Sequence, residues 1–341
     1  MKVNIAWLTI NRGCNLRCSW CYAQGLIENN NSMSFELSKA LMDLLFQAGV
    51  RKIYFIGGEP TLHPDFFDML SFAKERGFQS VVVTNGVLLG QSSFCEKILK
   101  LQYDSLLFGI SFKGMSKEEY ISNCKRDCFS QVINGVRNCR LYHFNYSLSY
   151  VLSTENIDDL VEFCRNFRKY NKEDGIAFAL CNDAILESGE IVKSSDHPLK
   201  IERVFTKEYP TIHSILDGRL TLHQIFPLCQ CSDNTLNLMQ ERNQLYTSCH
   251  VHARSGVVFD TDGGLLLCNH LAGFSFGRYG KDFSDFPSFE RFWDSEYAVS
   301  IHKKFTSMPS AKCQTCYQQE RCGGGCCTQW FSNTFDSFEK Y

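Results

Sequence analysis

Apolar positions in the first half of the chain follow two periods in alternation. Residues 3–11 read as a strand, and 34–49 carry helical spacing at Phe35, Leu37, Leu41, Leu44 and Leu45. A short run from Lys52 to Ile56 ends in Gly57-Gly58, and a helix is predicted from Pro64 to Arg76 with proline in its first turn. A strand at 78–84 ends in Thr84-Asn85-Gly86, a helix follows at 91–101, and a strand at 104–111 stops before Lys113-Gly114. Helices near 129–142 and 156–170 alternate with strands at 145–152 and 175–181.

Six such units predict an α/β fold with a parallel sheet, doubly wound or curled toward a barrel. The glycine-bearing turns follow the strands, which places them at the C-terminal mouth where such sheets build active sites. The pattern fades after about residue 182, and 183–248 read as a bridge with helical stretches. From Cys249 onward, strand-like segments alternate with turns and cysteines. For 341 residues the length prior is roughly two domains, divided here as 1–225 and 226–341.

Charge narrows the partners. With 35 basic and 37 acidic residues and no basic arm, nucleic acid is not expected as a partner. The start lacks a secretory signal, and no apolar run approaches the ~18–20 residues that cross a bilayer. The expectation is a cytoplasmic protein with no membrane partner. Eighteen cysteines in a reducing compartment then divide into two kinds. Isolated ones (Cys95, Cys124, Cys139, Cys164) read as small buried hydrophobes, whereas tight groups read as metal ligands.

The first group is Cys14-x3-Cys18-x2-Cys21, directly after the first strand. Three thiolates in one loop suit a corner of an iron–sulfur cube, because cluster irons are held by cysteine sulfur. Three protein ligands leave one iron open for chemistry, whereas a structural zinc site takes four.

This motif, with Trp20 before the third cysteine, resembles the signature of the radical S-adenosylmethionine (SAM) superfamily. Gly57-Gly58-Glu59-Pro60 is similar to the family's GGEP segment, whose backbone and glutamate meet the methionyl amine. Paired glycines allow close backbone approach, and a carboxylate can accept from an ammonium. Thr84-Asn85-Gly86 resembles the turn after the third family strand. Ser111-Phe112-Lys113-Gly114 resembles the turn after the fourth, where serine lies near the cofactor. The family has aspartate where this chain has Lys113, so Lys113 is given no cofactor role. Arg126 stands near the position of an arginine that relatives use on the SAM carboxylate, at a spacing different by a few residues. The resemblance implies a partial (β/α)6 TIM-like barrel, with Trp20, Gly57, Gly58, Glu59, Asn85, Ser111 and Arg126 around SAM and a [4Fe–4S] cluster on Cys14, Cys18 and Cys21. It further implies reductive cleavage of SAM to a 5′-deoxyadenosyl radical that abstracts hydrogen from a substrate, with an electron donor such as flavodoxin or ferredoxin.

The second group is Cys313-x2-Cys316-x5-Cys322-x3-Cys326, with Cys327 adjoining and Gly323, Gly324 and Gly325 between two of the thiols. Upstream, thirteen residues separate Cys249 from Gly263, and four more separate Gly263 from Cys268. A zinc ribbon would show two CxxC knuckles, and only one occurs in this arrangement. The arrangement resembles the SPASM domain, an auxiliary-cluster extension of peptide-modifying radical enzymes and anaerobic sulfatase-maturing enzymes. By that resemblance Cys249, Cys268 and Cys326 hold one auxiliary [4Fe–4S] cluster, and Cys313, Cys316 and Cys322 a second. Cys327, Asp336, an exogenous ligand or an open iron remain for the second. Cys229, Cys231, His250 and His252 remain for the first.

The reaction expected is modification of a ribosomally made peptide, by oxidation or by cross-link or thioether formation. Thirteen residues before Cys14 leave no room for a leader-recognition domain, so the bridge, the SPASM domain or a separate leader-recognition protein would grip the precursor. The alternatives are a dehydrogenase acting on a small metabolite or on a sulfatase cysteine or serine, and a non-catalytic iron–sulfur or zinc scaffold. A dehydrogenase needs a base. Asp183, Glu187 and Asp196 are candidates, and solvated loop carboxylates are the competing reading of all three.

Overall fold

The structure, a computed structural model, describes residues 2–23, 25–26, 31–185, 190–192, 198–223, 227–244, 249–306 and 311–330. The alternation read from the chain forms with its ends moved by a few residues. Strands β1 (Ile5–Asn11), β2 (Lys52–Gly57), β3 (Gln79–Thr84), β4 (Leu106–Phe112), β5 (Asn145–Leu152) and β6 (Ile176–Leu180) lie side by side in that order, all parallel. Between them run α1 (Phe35–Gln47), α2 (Phe66–Glu75), α3 (Ser92–Leu101), α4 (Lys117–Cys124), α5 (Phe129–Leu141) and α6 (Leu160–Tyr170). Ser34 starts α1 by accepting from the Leu37 amide, and α1 buries Leu41, Met42, Leu44 and Leu45 against the sheet.

Two local readings change. Pro64 lies before α2 rather than in its first turn, because His63 Nδ1 accepts from the Asp65 amide and delays the helix to Phe66. Helix α4 was not read from the chain. It is held by its ends, with Ser116 accepting from the Glu119 amide and the Glu119 carboxylate accepting from the Met115 amide at 2.6 Å.

The bridge supplies a small antiparallel pair, β7 (Ala184–Ile185) with β8 (Ile191–Val192), then α7 (Pro198–Ile215), a short strand β9 (Leu220–Leu222) parallel to β6, and α8 (Asp233–Glu241). After it come β10 (Gly256–Phe259), β11 (Gly264–Leu266), β12 (Ser275–Arg278), α9 (Phe286–Trp293) and α10 (Glu296–Phe305), followed by the one-turn helices α11 (Ala311–Gln314) and α12 (Gln319–Cys322).

Strand β10 does not start a separate sheet. It pairs in parallel with β1, Ile5 opposite Gly256, so one sheet runs β12-β11-β10-β1-β2-β3-β4-β5-β6-β9. Gly256 permits this, because a Cβ there would fall 2.7 Å from the Trp7 ring. At the other end of β1 the Arg12 guanidinium is paired with Asp260, both nearly buried. Strand pairing therefore ties the cysteine-rich region directly to the strand that carries the first cysteine loop. Fully buried Phe55, Phe108, Phe112 and Phe178 fill the sheet–helix interface, each contributing ~1.5–3 kcal/mol by burial. Cys95, Cys124, Cys139 and Cys164 are fully buried, as expected of structural thiols. No described helix is long and apolar enough to cross a membrane.

Candidate active site

The parallel strands end at Asn11, Gly57, Thr84 and Phe112, and the predicted cofactor turns follow these ends. The cysteine loop is fastened first to the β2 turn. The Gly58 amide donates to Asn11 O at 2.8 Å, the Glu59 amide to Gly13 O at 2.9 Å, and Asn11 Nδ2 to Glu59 O at 2.9 Å. Glycine is required for this approach, since a Cβ on Gly58 would lie 2.3 Å from Arg12 O.

Glu59 then joins the β2 turn to the β3 turn. Its Oε1 accepts from the Thr61 and Thr84 hydroxyls, both at 2.6 Å, and its Oε2 accepts from the Asn85 amide at 2.7 Å. Burial pushes this carboxyl upward, opposed by those hydrogen bonds. The carboxylate thus acts as a strut between two turns, and its remaining lone pair is what it can offer a ligand. Asn85 Nδ2 donates to Asn15 Oδ1 at 2.7 Å, which brings the β3 turn onto the cysteine loop.

The far side of the loop rests on the end of α4. The Arg17 amide donates to Cys124 O at 3.0 Å, the Ser19 amide to Asn123 O at 3.1 Å, and Arg126 Nη1 to Asn15 O at 3.1 Å. Trp20 is buried in the core and anchors the loop by packing. Ser111 Oγ accepts from Lys113 Nζ at 2.8 Å. Lys113 is nearly buried and its positive field reaches Cys14, Cys18 and Cys21. Sequence reasoning set Lys113 aside because it departs from the family pattern. The available signal was a lysine two residues beyond Ser111 at a strand end.

The three thiols are half-buried on one loop. Burial pushes Cys14 up to about 11 and Cys18 up to about 12, and raises Cys21. The Leu16 amide donates to Cys14 Sγ at 3.4 Å and, with Lys113, works in the opposite direction. Thiols that burial keeps protonated, beside amide donors and a cation, suit a metal that would deprotonate them on binding. Among the described residues no three His, Cys, Asp or Glu side chains close on a single ion. A cube distributes its cysteines over separate irons, and the donor set fits that group.

The C-terminal thiols form a second concentration. Cys249 and Cys268 each lie in the field of Cys326, and Cys327 in the fields of Cys326, Cys268 and Cys249. Burial dominates the upward push on Cys268, to about 12. Cys313 lies in α11, Cys316 between the two short helices and Cys322 at the end of α12, and the Gln318 amide donates to Cys316 Sγ at 3.4 Å. His250 is turned away from the thiols, its Nδ1 on Ser255 Oγ at 2.8 Å and its ring against Trp7. His252 lies against the Gly323 turn.

Tyr22 joins the two concentrations. Its hydroxyl donates to Gly57 O at 3.4 Å, and its ring meets His270 at 5.2 Å. Asp183 is 3% exposed just beyond β6, which corrects its reading as a solvated loop carboxylate. Glu187, Asp196 and Asp336 lie outside the described residues. A cavity of about 720 Å³, lined by Tyr146, Asp174 and Arg219 among others, opens at the opposite strand ends and belongs to none of this.

Comparison with known proteins agrees with this geometry. The model of the radical SAM superfamily matches residues 8–167. The chain carries a radical SAM domain. That superfamily is catalytic and works with SAM and a [4Fe–4S] cluster. Fe-coproporphyrin III synthase of Methanosarcina barkeri is 32% identical over 161 residues, which cover 47% of this chain but only 39% of the relative. A cysteine-type anaerobic sulfatase-maturating enzyme of Clostridium novyi is 22% identical over 335 residues, 92% of this chain and 84% of that one. Among solved structures, native anSMEcpe with bound AdoMet and Cp18Cys peptide superposes with a TM-score of 0.71 at 18% identity, covering 98% of this chain and 92% of that one. Streptococcus suis SuiB bound to precursor peptide SuiA gives 0.67 at 17%, covering 95% and 72%. The likeness in fold therefore continues past the radical SAM domain through the cysteine-rich region.

Proposed function

We propose that this chain is a radical SAM maturase that removes hydrogen from a side chain of a peptide, with auxiliary iron–sulfur clusters in its C-terminal region. The observation that carries the reading is the clamp of Asn11, Gly58 and Glu59, which seats the three-cysteine loop on the turn that follows β2. Cys14, Cys18 and Cys21 would hold the cluster, and Gly57, Gly58, Asn85 and Ser111 would border SAM. When bound, these groups supply one-electron cleavage of a sulfonium and hydrogen abstraction. The residues of the chain position the ligands, exclude water and set the local charge. Asp183, buried at the mouth, is the carboxylate assigned to take a proton from the substrate.

A peptide substrate is supported by the two solved neighbours whose names include bound peptides. The sulfatase version has its own support in the match over 335 residues to a sulfatase-maturating enzyme. The electron donor (flavodoxin or ferredoxin), a separate leader-recognition protein and a reducing cytoplasmic setting complete the proposal. The test is anaerobic. Protein with full iron loading, mixed with dithionite and SAM, is expected to release 5′-deoxyadenosine, and the Cys14→Ala variant to release none. A cysteine-containing sulfatase peptide that loses two hydrogens by mass favours the sulfatase version. Fully loaded protein that releases no 5′-deoxyadenosine would sink both.

A further inference from the structure

The resemblance of the C-terminal motif assigns Cys313, Cys316 and Cys322 to one cluster and leaves their fourth partner open. Its neighbourhood in the fold contains a segment from well upstream. Residues 227–231 form a tight turn in which the Cys231 amide donates to Leu228 O at 3.1 Å. This turn lies on the bend between Cys322 and Cys326. A Cβ on Gly325 would fall 2.6 Å from Pro227 Cδ and 2.8 Å from Pro227 N, so the bend accepts the turn only because glycine is there, at φ +78°. From the same turn the Leu228 amide donates to Cys322 Sγ at 3.4 Å.

The thiol of Cys231 follows Cys322 in this packing. It is half-buried, and its own amide is bonded to Leu228, the residue whose amide reaches Cys322 Sγ.

A second observation points to a ligand in the same place. Glu202 on α7 is 2% exposed and accepts from the Gln329 side chain through Oε1, while its Oε2 has no hydrogen-bond partner among the described residues. An unsatisfied buried carboxylate oxygen is costly, and here its Gln329 partner stands just beyond the Cys322–Cys326 bend that receives residues 227–231, the Gln329 amide donating to Cys326 O at 3.1 Å. The protein keeps sulfur and oxygen donors, with an amide on one thiol, in a place its core has not closed.

We propose that Cys231, delivered by the 227–231 turn, is a ligand of the second auxiliary cluster together with Cys313, Cys316 and Cys322, and that the Leu228 amide donates to the Cys322 sulfur of that cluster. Ligation takes the Cys231 proton to solvent and changes no oxidation state. The proposal rests on the reading that auxiliary clusters occupy this region. Hydrogen bonds to cluster sulfur tune its potential, so the turn would set the electronics of the site as well as complete it.

The test uses the full chain, reconstituted anaerobically, in a background where Cys14, Cys18 and Cys21 are alanine so that only auxiliary iron remains. Iron and sulfide per chain and the EPR spectrum of the reduced protein are read for Cys231→Ala, Cys231→Ser and Glu202→Gln. Cys231→Ala is expected to lose about half of the auxiliary iron. Cys231→Ser, whose oxygen can still ligate, is expected to keep iron with a shifted EPR signal. A far-ultraviolet circular dichroism spectrum and melting curve of Cys231→Ala like those of the background protein show that the variant is folded. Unchanged iron and spectrum in both Cys231 variants overturns the proposal, as does loss of the cluster in Glu202→Gln but not in Cys231→Ala. A background protein that binds no iron overturns the auxiliary-cluster reading itself, and this proposal with it.

Discussion

Lys113 Nζ donates to Ser111 Oγ across 2.8 Å, and this hydrogen bond holds a nearly buried ammonium beside the loop that bears Cys14, Cys18 and Cys21. A cation there favours the thiolates and an added electron alike. One unit charge a few ångströms away at an effective dielectric near 20 is worth a few kcal/mol. Replacing Lys113 with methionine is expected to lower the midpoint potential of the loop cluster by about 59 mV or more, a tenfold loss of reduced cluster at fixed potential. Potentiometric EPR reads it, and Lys113→Arg should stay near the native value. Equal potentials in native and methionine forms would remove Lys113 from the site.

Gly58 has no room for a side chain. Gly58→Ala places Cβ 2.3 Å from Arg12 O and 2.4 Å from Gly13 O, so the cysteine loop must move. The expected result is a loss of ~1–3 kcal/mol in stability, with reduced iron on Cys14, Cys18 and Cys21 and retained C-terminal iron. Thermal melting and iron analysis in single-site and triple-cysteine backgrounds check it.

The pair of Arg12 and Asp260 ties β1 to the segment after β10 in a nearly dry environment, with side-chain exposures of 5% and 10%. Removing one partner strands the other charge. Arg12→Met is expected to cost ~3–5 kcal/mol, and Arg12→Met combined with Asp260→Leu to recover most of it. Guanidinium unfolding of the three proteins is the measurement. A single variant as stable as the native chain would contradict the buried pairing.

His63 provides a pH signature away from the thiols. Its Nδ1 accepts from the Asp65 amide at 3.0 Å while its Nε2 meets Met33 O at 2.9 Å, an arrangement that requires the neutral ring. Burial lowers its affinity for a proton below the ordinary value of 6.5. Below about pH 6.5 the unfolded chain therefore binds this proton first, and stability falls as pH drops. His63→Gln is expected to show a smaller drop in melting temperature between about pH 7.5 and about pH 5.5 than the native protein does. Parallel curves would place the titration elsewhere.

Much of the sheet was legible because β1 to β6 and their helices repeat two simple periods, with turn glycines after the strands. Helix α4 was not, since only Tyr120, Asn123 and Cys124 of its residues are buried and its stability lies in caps. Strand β9 has three residues, too few to show a period. The candidate site divides in the same way. Cys14, Cys18, Cys21, Gly57, Gly58 and Asn85 are contiguous motif residues. Lys113, the Glu59 strut and the packing of 227–231 on Gly325 depend on contacts between turns far apart in sequence.

Local chemistry along the chain was enough to determine β1 to β6, their helices other than α4, and the thiol-bearing turns, because period, glycine and cysteine spacing act over a few residues. Only the tertiary structure decided that β10 pairs with β1, that Arg12 meets Asp260, and which thiols lie together. Those outcomes depend on which distant surfaces fit and exclude water, as with the Gly256 contact on Trp7. No window of sequence contains both sides of such a contact.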